Sequence, residues 1–551
     1  MHYELVENKI RYNTSVINPN EIRELTDCDV DVFPQTLYDV SHDASIFEVI
    51  PQALVTPKDV ASLCKLVRYV GEHTSANAPM NMTARSAGTD MSGGPLGQSI
   101  IVDFTKNFSH IKEVAEGYAI TEPGVFYKDF DKATLAHGGQ ILPSYPASRE
   151  FCTLGGMISN NSGGEKTLTY GKTEKYIRRV KMVLADGKEY EFRPLTLHEL
   201  EQQKKFPSLQ SEIYSKMHEL IKTNRNLLQK AKPEVTKNSS GYYLWNVMYD
   251  RPDSKGGMEE VFDLTKLIVG SQGTLGLITE IEFALVKPKQ HSRLLVVFLK
   301  DLKYLGTVAT EIMKFKPESL EFYDDHAVSR DVLRAKVPKK VLMAEFTAST
   351  AVGAVYEAEQ AQKALKDIAK SGVFGQHHED LQTEVTRTIQ ETNKHWAIHH
   401  ESYNMLRKQF GKLRVAPFID DFVVPFSSLV EFLPRLYSIL DQYSMTYTFT
   451  GHLGDGNLHV ISLMNLRDPK AHKIIEQLSV RVYDLVHRFG GSISGEYNDG
   501  LIRTPFVKMQ YGEEVCKLFE ETKKIWDPKG IFNPGKKVGG TLKYAFLHIV
   551  K

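Results

Sequence analysis

Cysteine is scarce in this sequence. The four cysteines of the 551-residue chain, Cys28, Cys64, Cys152 and Cys516, lie far apart, and no two of them form a CxxC pair. This spacing argues against an iron–sulfur cluster or a cysteine-type zinc site held within the chain. Because so few cysteines in a long chain are typical of a reducing compartment, the sequence predicts a cytoplasmic protein.

An excess of charge and a long apolar run are also missing. The chain has 68 basic and 68 acidic residues, a balance that argues against a nucleic-acid partner. No apolar run approaches the ~18–20 residues of a membrane span, and the first residues lack the basic and apolar regions of a secretory signal. Any membrane association is therefore predicted to be peripheral, at the inner face of the membrane.

A glycine-rich segment with two histidines, residues 451–459, is the most informative stretch of the sequence. It lies between two strand-like runs, and Asp455-Gly456 within it is a strong signal for a two-residue hairpin turn. With that turn, His452 stands opposite His459, where Cβ atoms lie only about 4.5–5.5 Å apart. Two imidazoles at this distance can share one divalent metal.

A carboxylate would complete such a metal site, because catalytic sites keep three protein ligands and an open position. Glu496 is the candidate, since it lies in a polar loop with glycines on both sides. The sequence therefore predicts zinc or manganese at His452, His459 and Glu496. The alternative is a surface hairpin with two exposed histidines.

Three further segments are rich in glycine and other small residues, at 85–94, 155–164 and 270–278. Small residues let backbone N–H groups converge on an anion such as a phosphate. None of the segments has the Walker pattern, and one alone would resemble a turn-rich linker. Because glycine costs conformational entropy on ordering, three such segments favour close approach to a large, diphosphate-bearing cofactor.

Taken together, these loops resemble the cofactor loops of the FAD-binding domain in the vanillyl-alcohol oxidase and p-cresol methylhydroxylase superfamily. Residues 237–242, the histidine segment, the Glu496 loop and residues 526–536 extend the resemblance over about residues 45–540. It is closest to the glycolate oxidase FAD subunit and FAD-linked D-lactate dehydrogenase group, within the D-2-hydroxyacid dehydrogenases. Several motifs in one order are far more specific than a single loop.

The resemblance implies an α+β fold, with a p-cresol methylhydroxylase-type FAD-binding domain of two subdomains and an α+β cap domain that carries an antiparallel sheet. The predicted boundaries are a lead-in over 1–45, the FAD-binding domain over 46–288, the substrate or cap domain over 289–490, and a C-terminal segment over 491–551 that returns to the flavin. Residues 195–235, rich in charged residues with apolar residues at helical spacing, are predicted to be a solvated helical insertion.

The resemblance also implies which residues contact FAD. The first loop would wrap the pyrophosphate through backbone N–H groups, the second would line the flavin, and the third would close over it. Because Thr89 stands where some members carry a flavin-linking histidine, the FAD is predicted to be non-covalent. The predicted contacts are Ser86, Ala87, Gly88, Thr89, Asp90, Ser92, Gly155, Gly156, Ser159, Asn160, Asn161, Gly163, Gly273, Ile278 and Asn533.

The sequence departs from the family after Glu496, where relatives carry a histidine base and this chain has Tyr497. A tyrosine, with an ordinary pKa of about 10, is a poor base at neutral pH unless a cation lowers that pKa. A neighbouring metal can do so. Tyr497 is therefore the predicted base. In the alternative, Tyr497 only donates a hydrogen bond, and His459 or a metal-bound substrate alkoxide carries the chemistry.

A second departure concerns the substrate carboxylate. Residues 396–401 occupy the place where relatives commonly carry an arginine for it, and this hexapeptide has none. His399, His400 or Arg407 are candidate substitutes, and the alternative for the two histidines is a partly exposed helix face. Arg503 can also pair with a carboxylate through two hydrogen bonds, with a structural salt bridge as its alternative.

The expected reaction is oxidation of a small D-2-hydroxyacid, D-lactate-like or glycolate-like, by metal-assisted proton abstraction and hydride transfer to FAD. The electron acceptor is left open among an iron–sulfur subunit, an electron-transfer flavoprotein, a quinone and oxygen. A homodimer is also left open. One rival is a catalytically retired FAD-binding scaffold subunit of a larger dehydrogenase, which the two departures favour. The other is a metal-free flavin oxidase of alcohols or sugars.

Overall fold

The computed structural model describes residues 17–253, 256–324, 340–371, 381–406 and 413–550, and it describes their side chains except for 400–406. Across these ranges, none of the helices combines the length and the apolar character that a membrane crossing requires.

The first half of the chain, as far as it is described, forms three sheets. One has the strand order β1-β2-β4-β3, with β2, β3 and β4 parallel; the second has β5-β6-β12-β7-β8, and the third has β10-β11-β9. The strands are β1 (Asp29–Asp31), β2 (Ala53–Thr56), β3 (Met82–Arg85), β4 (Ile100–Asp103), β5 (Ile111–Ala115), β6 (Tyr118–Thr121), β7 (Ile177–Val183), β8 (Glu189–Phe192), β9 (Leu195–Thr196), β10 (Met248–Pro252), β11 (Met258–Phe262) and β12 (Leu277–Ala284).

Helices cover these sheets and connect their strands. They are α1 (Pro19–Thr26), α2 (Pro34–Asp39), α3 (Val60–His73), α4 (Tyr127–Ala136), α5 (Leu154–Asn160), α6 (Thr167–Tyr170), α7 (Leu197–Gln203), α8 (Leu209–Thr223), α9 (Arg225–Ala231) and α10 (Thr265–Ile268). Helix α8 is amphipathic, and its buried face, which includes Ile213, Tyr214 and Met217, belongs to the main core of this half. The helices of residues 195–235 are thus solvated on one side only.

The second half is built on one antiparallel sheet with the order β16-β13-β15-β14-β19-β20-β17, and β18 pairs with β20 beside it. The mixed helix-and-sheet fold with an antiparallel sheet is confirmed. The strands are β13 (His291–Leu299), β14 (Ser319–Asp324), β15 (Lys340–Ala348), β16 (Leu381–Val385), β17 (Arg414–Ala416), β18 (Phe422–Val423), β19 (Thr446–His452) and β20 (Asn457–Met464).

Helices cover both faces of this sheet, and the later ones return the chain to the first half. They are α11 (Leu305–Met313), α12 (Ala351–Lys370), α13 (Ile389–Leu406), α14 (Leu429–Leu440), α15 (Pro469–Arg488), α16 (Gly500–Arg503), α17 (Val507–Trp526) and α18 (Leu542–Leu547). Trp526, at the end of α17, is fully buried against Phe192 with 5.3 Å between ring centroids. Burying one large apolar side chain contributes about 1.5–3 kcal/mol, so α17 ties the C-terminal part firmly to the first half.

Candidate active site

The two histidines lie on the predicted hairpin, but its register differs from the expectation. Thr450, not His452, stands opposite His459, so the predicted two-residue turn is wrong. Leu453–Asp455 form a short 3-10 turn, and Gly456 follows in the left-handed region with φ 68°. A Cβ on Gly456 would lie 2.0 Å from the carbonyl oxygen of Val424, so the tight packing of this connection requires glycine.

The shift in register nevertheless keeps both imidazoles together. Side chains on a strand alternate between faces, so a shift of two positions leaves His452 and His459 on the same face as diagonal neighbours. Their ring centroids are 5.6 Å apart and nearly perpendicular, at 87°. The two histidines are therefore close together, although the turn predicted between them is wrong.

Glu496 completes a cluster with these rings, as predicted. Its Oε1 atom lies 3.3 Å from Nε2 of His452 and 3.4 Å from Nε2 of His459. One donor atom from each of the three residues falls within 4.8 Å of the others, and all three residues are buried. We call His452, His459 and Glu496 the His–Glu cluster.

Two carboxylates that the sequence analysis missed orient the imidazoles. Glu321 on β14 places Oε2 2.7 Å from Nδ1 of His452, and Asp420 places Oδ1 2.9 Å from Nδ1 of His459. With Nδ1 engaged in this way, each ring turns Nε2 toward Glu496, which is the outer arrangement typical of metal-bound histidines. The sequence signal for Asp420 was a carboxylate directly after large apolar residues, in Phe418-Ile419-Asp420.

Charge at the cluster follows from these contacts. Burial lowers the pKa of His452, but Glu321 and Glu496 outweigh it and raise that pKa to about 9. Burial raises the pKa of Glu496, but Lys237 and His452 outweigh it and hold that pKa well below its usual range. Three carboxylates thus surround two imidazoles, and this donor set of two nitrogens and one carboxylate oxygen fits zinc or manganese.

Buried hydrogen bonds hold the Glu496 loop in place. The carboxylate of Asp421 accepts hydrogen bonds from the backbone N–H groups of Glu496 at 3.0 Å and Tyr497 at 2.7 Å. Arg503 is fully buried and donates to the backbone carbonyls of Asn498 at 3.0 Å and Asp420 at 2.6 Å. Arg503 thus braces this loop against Asp420 through backbone carbonyls, and its predicted contact with a substrate stays a prediction.

A glycine-rich cavity adjoins the cluster and contains about 1000 Å³ of empty space, part of it open to solvent. Glu496 and Tyr497 lie on its wall, so the cluster and the cavity share a boundary. The ring of Tyr497 lies 5.8 Å from that of His459, centroid to centroid. Of the predicted cofactor contacts, the cavity is lined by Ser86, Gly88, Thr89, Asp90, Gly155, Gly156, Ser159, Asn160, Gly273 and Ile278.

The remaining predicted contacts, which also include Ala87 and Gly163, are absent from this lining. The Ser92 hydroxyl donates to Asp90, and Asn161 bonds to Glu174. Asn533 donates to the carbonyls of Gly94 at 2.9 Å and Gln272 at 2.7 Å. These polar side chains hold the loops in place from behind the cavity.

Arg85 is a cavity residue that the sequence analysis did not assign. Its Nη2 donates to the carbonyl of His42 at 2.6 Å, while its Nη1 is buried without a hydrogen-bond partner among the described residues. A cationic N–H at a cavity wall fits a phosphate oxygen. Together with backbone of positive φ at Gly88 and Gly273, this cavity fits the diphosphate of FAD.

The helix α13 brings a histidine, not an arginine, to the outer side of the cluster. His399 places Nε2 3.7 Å from Oε2 of Glu321, and its ring lies beside Tyr323 and Trp396. The side chain of His400 and the whole of Arg407 lie outside the described residues.

Two family models match the chain. The model of the FAD binding domain matches residues 51–193, and the model of the C-terminal domain of FAD linked oxidases matches residues 288–537.

Characterised relatives extend this match. The D-2-hydroxyglutarate dehydrogenase of Escherichia coli (strain K12) is 27% identical, over 90% of this chain and 49% of the relative. The glycolate oxidase subunit GlcD of Bacillus subtilis (strain 168) is 25% identical, over 90% of this chain and 91% of the relative. The D-lactate dehydrogenase of Anaerostipes hadrus is 24% identical, over 90% and 92%. The chain thus spans about half the length of the first of these relatives.

Solved structures show the same fold. The 4-ethylphenol oxidase from Gulosibacter chungangensis superposes with a TM-score of 0.64 at 13% identity, over 95% of this chain and 97% of that one. An alkyldihydroxyacetonephosphate synthase superposes with a TM-score of 0.61 at 14% identity, over 96% and 88%. The chain therefore contains the two domains that the family models describe, a FAD binding domain over residues 51–193 and the C-terminal domain of FAD linked oxidases over residues 288–537.

Proposed function

We propose that this chain oxidises a small D-2-hydroxyacid to the 2-oxoacid, with non-covalent FAD in the glycine-rich cavity and a divalent metal at the His–Glu cluster. The observation that carries the proposal is the position of Glu496, which closes the imidazole pair with Oε1 and also forms part of the cavity wall. The names of three relatives, a D-2-hydroxyglutarate dehydrogenase, a D-lactate dehydrogenase and a glycolate oxidase subunit, support this substrate class.

In this proposal the oxidation removes a hydride from C2 and a proton from the hydroxyl of the substrate. When bound, FAD would supply the hydride acceptor, and the metal would lower the pKa of the substrate hydroxyl. Arg85 and the backbone of the first loop would bind the diphosphate, and His452, His459 and Glu496 would hold the metal. Thr89 lines the cavity where a covalent link would need histidine.

Tyr497 is the better candidate for the proton acceptor. As a metal ligand through Nε2, His459 has no nitrogen left, because its Nδ1 is engaged by Asp420 at 2.9 Å. Tyr497 lies on the cavity wall directly after Glu496. A phenol can act as a base at neutral pH when a neighbouring cation lowers its pKa.

The substrate is proposed to be small, with no second carboxylate beyond its chelating end. The resemblance implies an arginine for the substrate carboxylate within residues 396–401, and from this segment the imidazole of His399 lies near the cluster. A histidine forms a weaker and less directional pair with a carboxylate than the two-pronged guanidinium does. D-Lactate or glycolate therefore suits the site better than D-2-hydroxyglutarate.

Anaerobic absorbance near 450 nm tests the proposal. Purified holoprotein is treated with a chelator and titrated with D-lactate, D-2-hydroxyglutarate or glycolate, before and after zinc or manganese is restored. Bleaching that needs both an acid and a metal is the expected result. Bleaching that is unchanged after complete metal removal would contradict the metal site, and a flavin that no hydroxyacid bleaches would favour the scaffold subunit instead.

A further inference from the structure

Lys237 is a fully buried lysine in contact with the His–Glu cluster. Its Nζ lies 3.2 Å from Oε2 of Glu496 and 3.3 Å from both Oδ1 of Asn457 and the carbonyl oxygen of Gly164. The carboxylate of Asp455 is 3.8 Å away. A buried ammonium is costly unless such partners surround it, so these contacts fix the position of Nζ closely.

The two oxygens of Glu496 consequently face different groups. Oε1 faces the two Nε2 atoms at 3.3 and 3.4 Å, whereas Oε2 faces Lys237 at 3.2 Å. A carboxylate can bind a metal through one oxygen or through both. With Oε2 engaged by Lys237, Glu496 presents a single oxygen to an ion between the imidazoles.

We propose that Lys237 is a positioning residue that keeps Glu496 monodentate and thereby leaves coordination positions open for the substrate. The inference rests on the proposed metal site and adds to it a control on coordination number. The ammonium also repels a cation at the cluster, because like charges in a buried site interact strongly. Lys237 therefore lowers the affinity for the metal and keeps coordination positions free for the substrate.

The change that tests this inference is Lys237→Met, which keeps an unbranched apolar stem and removes the charge. Glu496 is then free to bind the ion with both oxygens, and the repulsion is gone. We expect the Kd for Mn²⁺, measured by titration on the holoprotein, to fall at least tenfold. The enhancement of water proton relaxation by bound Mn²⁺ is expected to drop, since fewer positions remain for water, and the KM for the hydroxyacid to rise. Lys237→Arg, which keeps the charge, should restore most of the wild-type relaxation.

Lys172 provides the matched control. It is also buried, and its Nζ donates to the carbonyls of Asn238 at 2.6 Å and Gly495 at 2.5 Å and to the Ser239 hydroxyl. None of these acceptors is on the carboxylate of Glu496, although Gly495 precedes it. Because Lys172 also interacts electrostatically with Glu496 but bonds to neither of its carboxylate oxygens, Lys172→Met should lower the Kd for Mn²⁺ less than Lys237→Met does and leave the relaxation enhancement unchanged.

A purely structural role for Lys237 predicts the opposite sign. Folded Lys237→Met protein that binds Mn²⁺ as weakly as the wild type, or more weakly, would overturn the inference while leaving the metal site intact. A wild-type protein that binds neither Mn²⁺ nor zinc would overturn both. If Lys237→Met does not fold, X-ray absorption of the zinc-loaded wild type decides the question. A monodentate carboxylate supports the inference, and a chelating carboxylate refutes it.

Discussion

The glycine-rich cavity and the His–Glu cluster share a wall but are built in different ways. The cavity is shaped by loops of small residues, and Gly88, Gly155, Gly156 and Gly273 bring backbone to its lining. The cluster is made of long charged side chains held by other buried charges, among them Glu321, Asp420 and Lys237. A site formed by backbone depends on local sequence, whereas a site formed by buried charges depends on partners from distant strands.

This contrast predicts that the two sites can be broken separately. Glu496→Gln removes the anionic ligand and keeps the size of the side chain. Zinc content should fall below detection and kcat/KM by about 1000-fold or more, because the metal is lost outright. Bound FAD, measured from flavin absorbance per protein, should stay close to the wild-type level. Retention of zinc by Glu496→Gln would show that the ion binds elsewhere.

The orienting carboxylates should matter less than the ligands themselves. Asp420→Asn leaves Nε2 of His459 in place but weakens the support of its Nδ1, so zinc affinity should fall about 10–100-fold. Competition with a chromophoric chelator measures the effect. Asp499→Asn is the matched control, because Asp499 is a buried carboxylate paired with Lys537 at 2.9 Å that touches neither histidine. Equal losses in the two variants would mean that general destabilisation, not orientation, is responsible.

On the cavity side, Arg85→Met should weaken the binding of FAD and leave the binding of the metal unchanged. The loss of one charged hydrogen bond to a phosphate is expected to raise the Kd for FAD about tenfold, which corresponds to ~1.4 kcal/mol. Fluorescence of released flavin during dilution measures this. Arg293→Met is the control, since Arg293 is buried in the other half and donates to the backbone carbonyls of Arg387 and Ser292. An unchanged Kd in Arg85→Met would place the diphosphate away from Nη1.

Metal binding should also depend on pH. The pKa of His452 is raised to about 9, so its ring is protonated at pH 7.5 and must lose a proton before Nε2 can bind a metal. Zinc affinity should therefore increase as pH rises from 7 toward 9, by up to about tenfold per unit for each proton released. Calorimetry in buffers of different ionisation enthalpy counts those protons. Binding without proton release would contradict the raised pKa.

The same contrast explains what could be predicted from the sequence. Glycine-rich loops and histidines on a hairpin can be seen in short stretches of sequence. The loops around Gly88, Gly155 and Gly273 and the pair His452 and His459 could therefore be identified as candidates. The register of the hairpin was wrong because Gly456 packs against Val424, a contact that no local rule contains. The two-position shift keeps both histidines on one face, so they still meet, and metal binding at this pair stays a prediction.

Long-range partners could not be found in the same way. Glu321 lies 131 positions before His452 in the chain, and only the pairing of β14 with β19 brings the two together. Arg503 was predicted to meet the substrate because its guanidinium suits a carboxylate, but two backbone carbonyls occupy it in the folded chain. Helix α8 looked solvated from its charges, yet Ile213 and Met217 are fully buried. Burial and tertiary contacts decide each of these cases.

Crystals of the holoprotein, grown with zinc and measured at the zinc absorption edge, would show whether a metal and FAD occupy neighbouring sites. We expect one strong anomalous peak between His452, His459 and Glu496, with FAD in the glycine-rich cavity beside it. FAD in that cavity with no anomalous peak at the three residues, or with zinc only at surface side chains, would contradict this expectation.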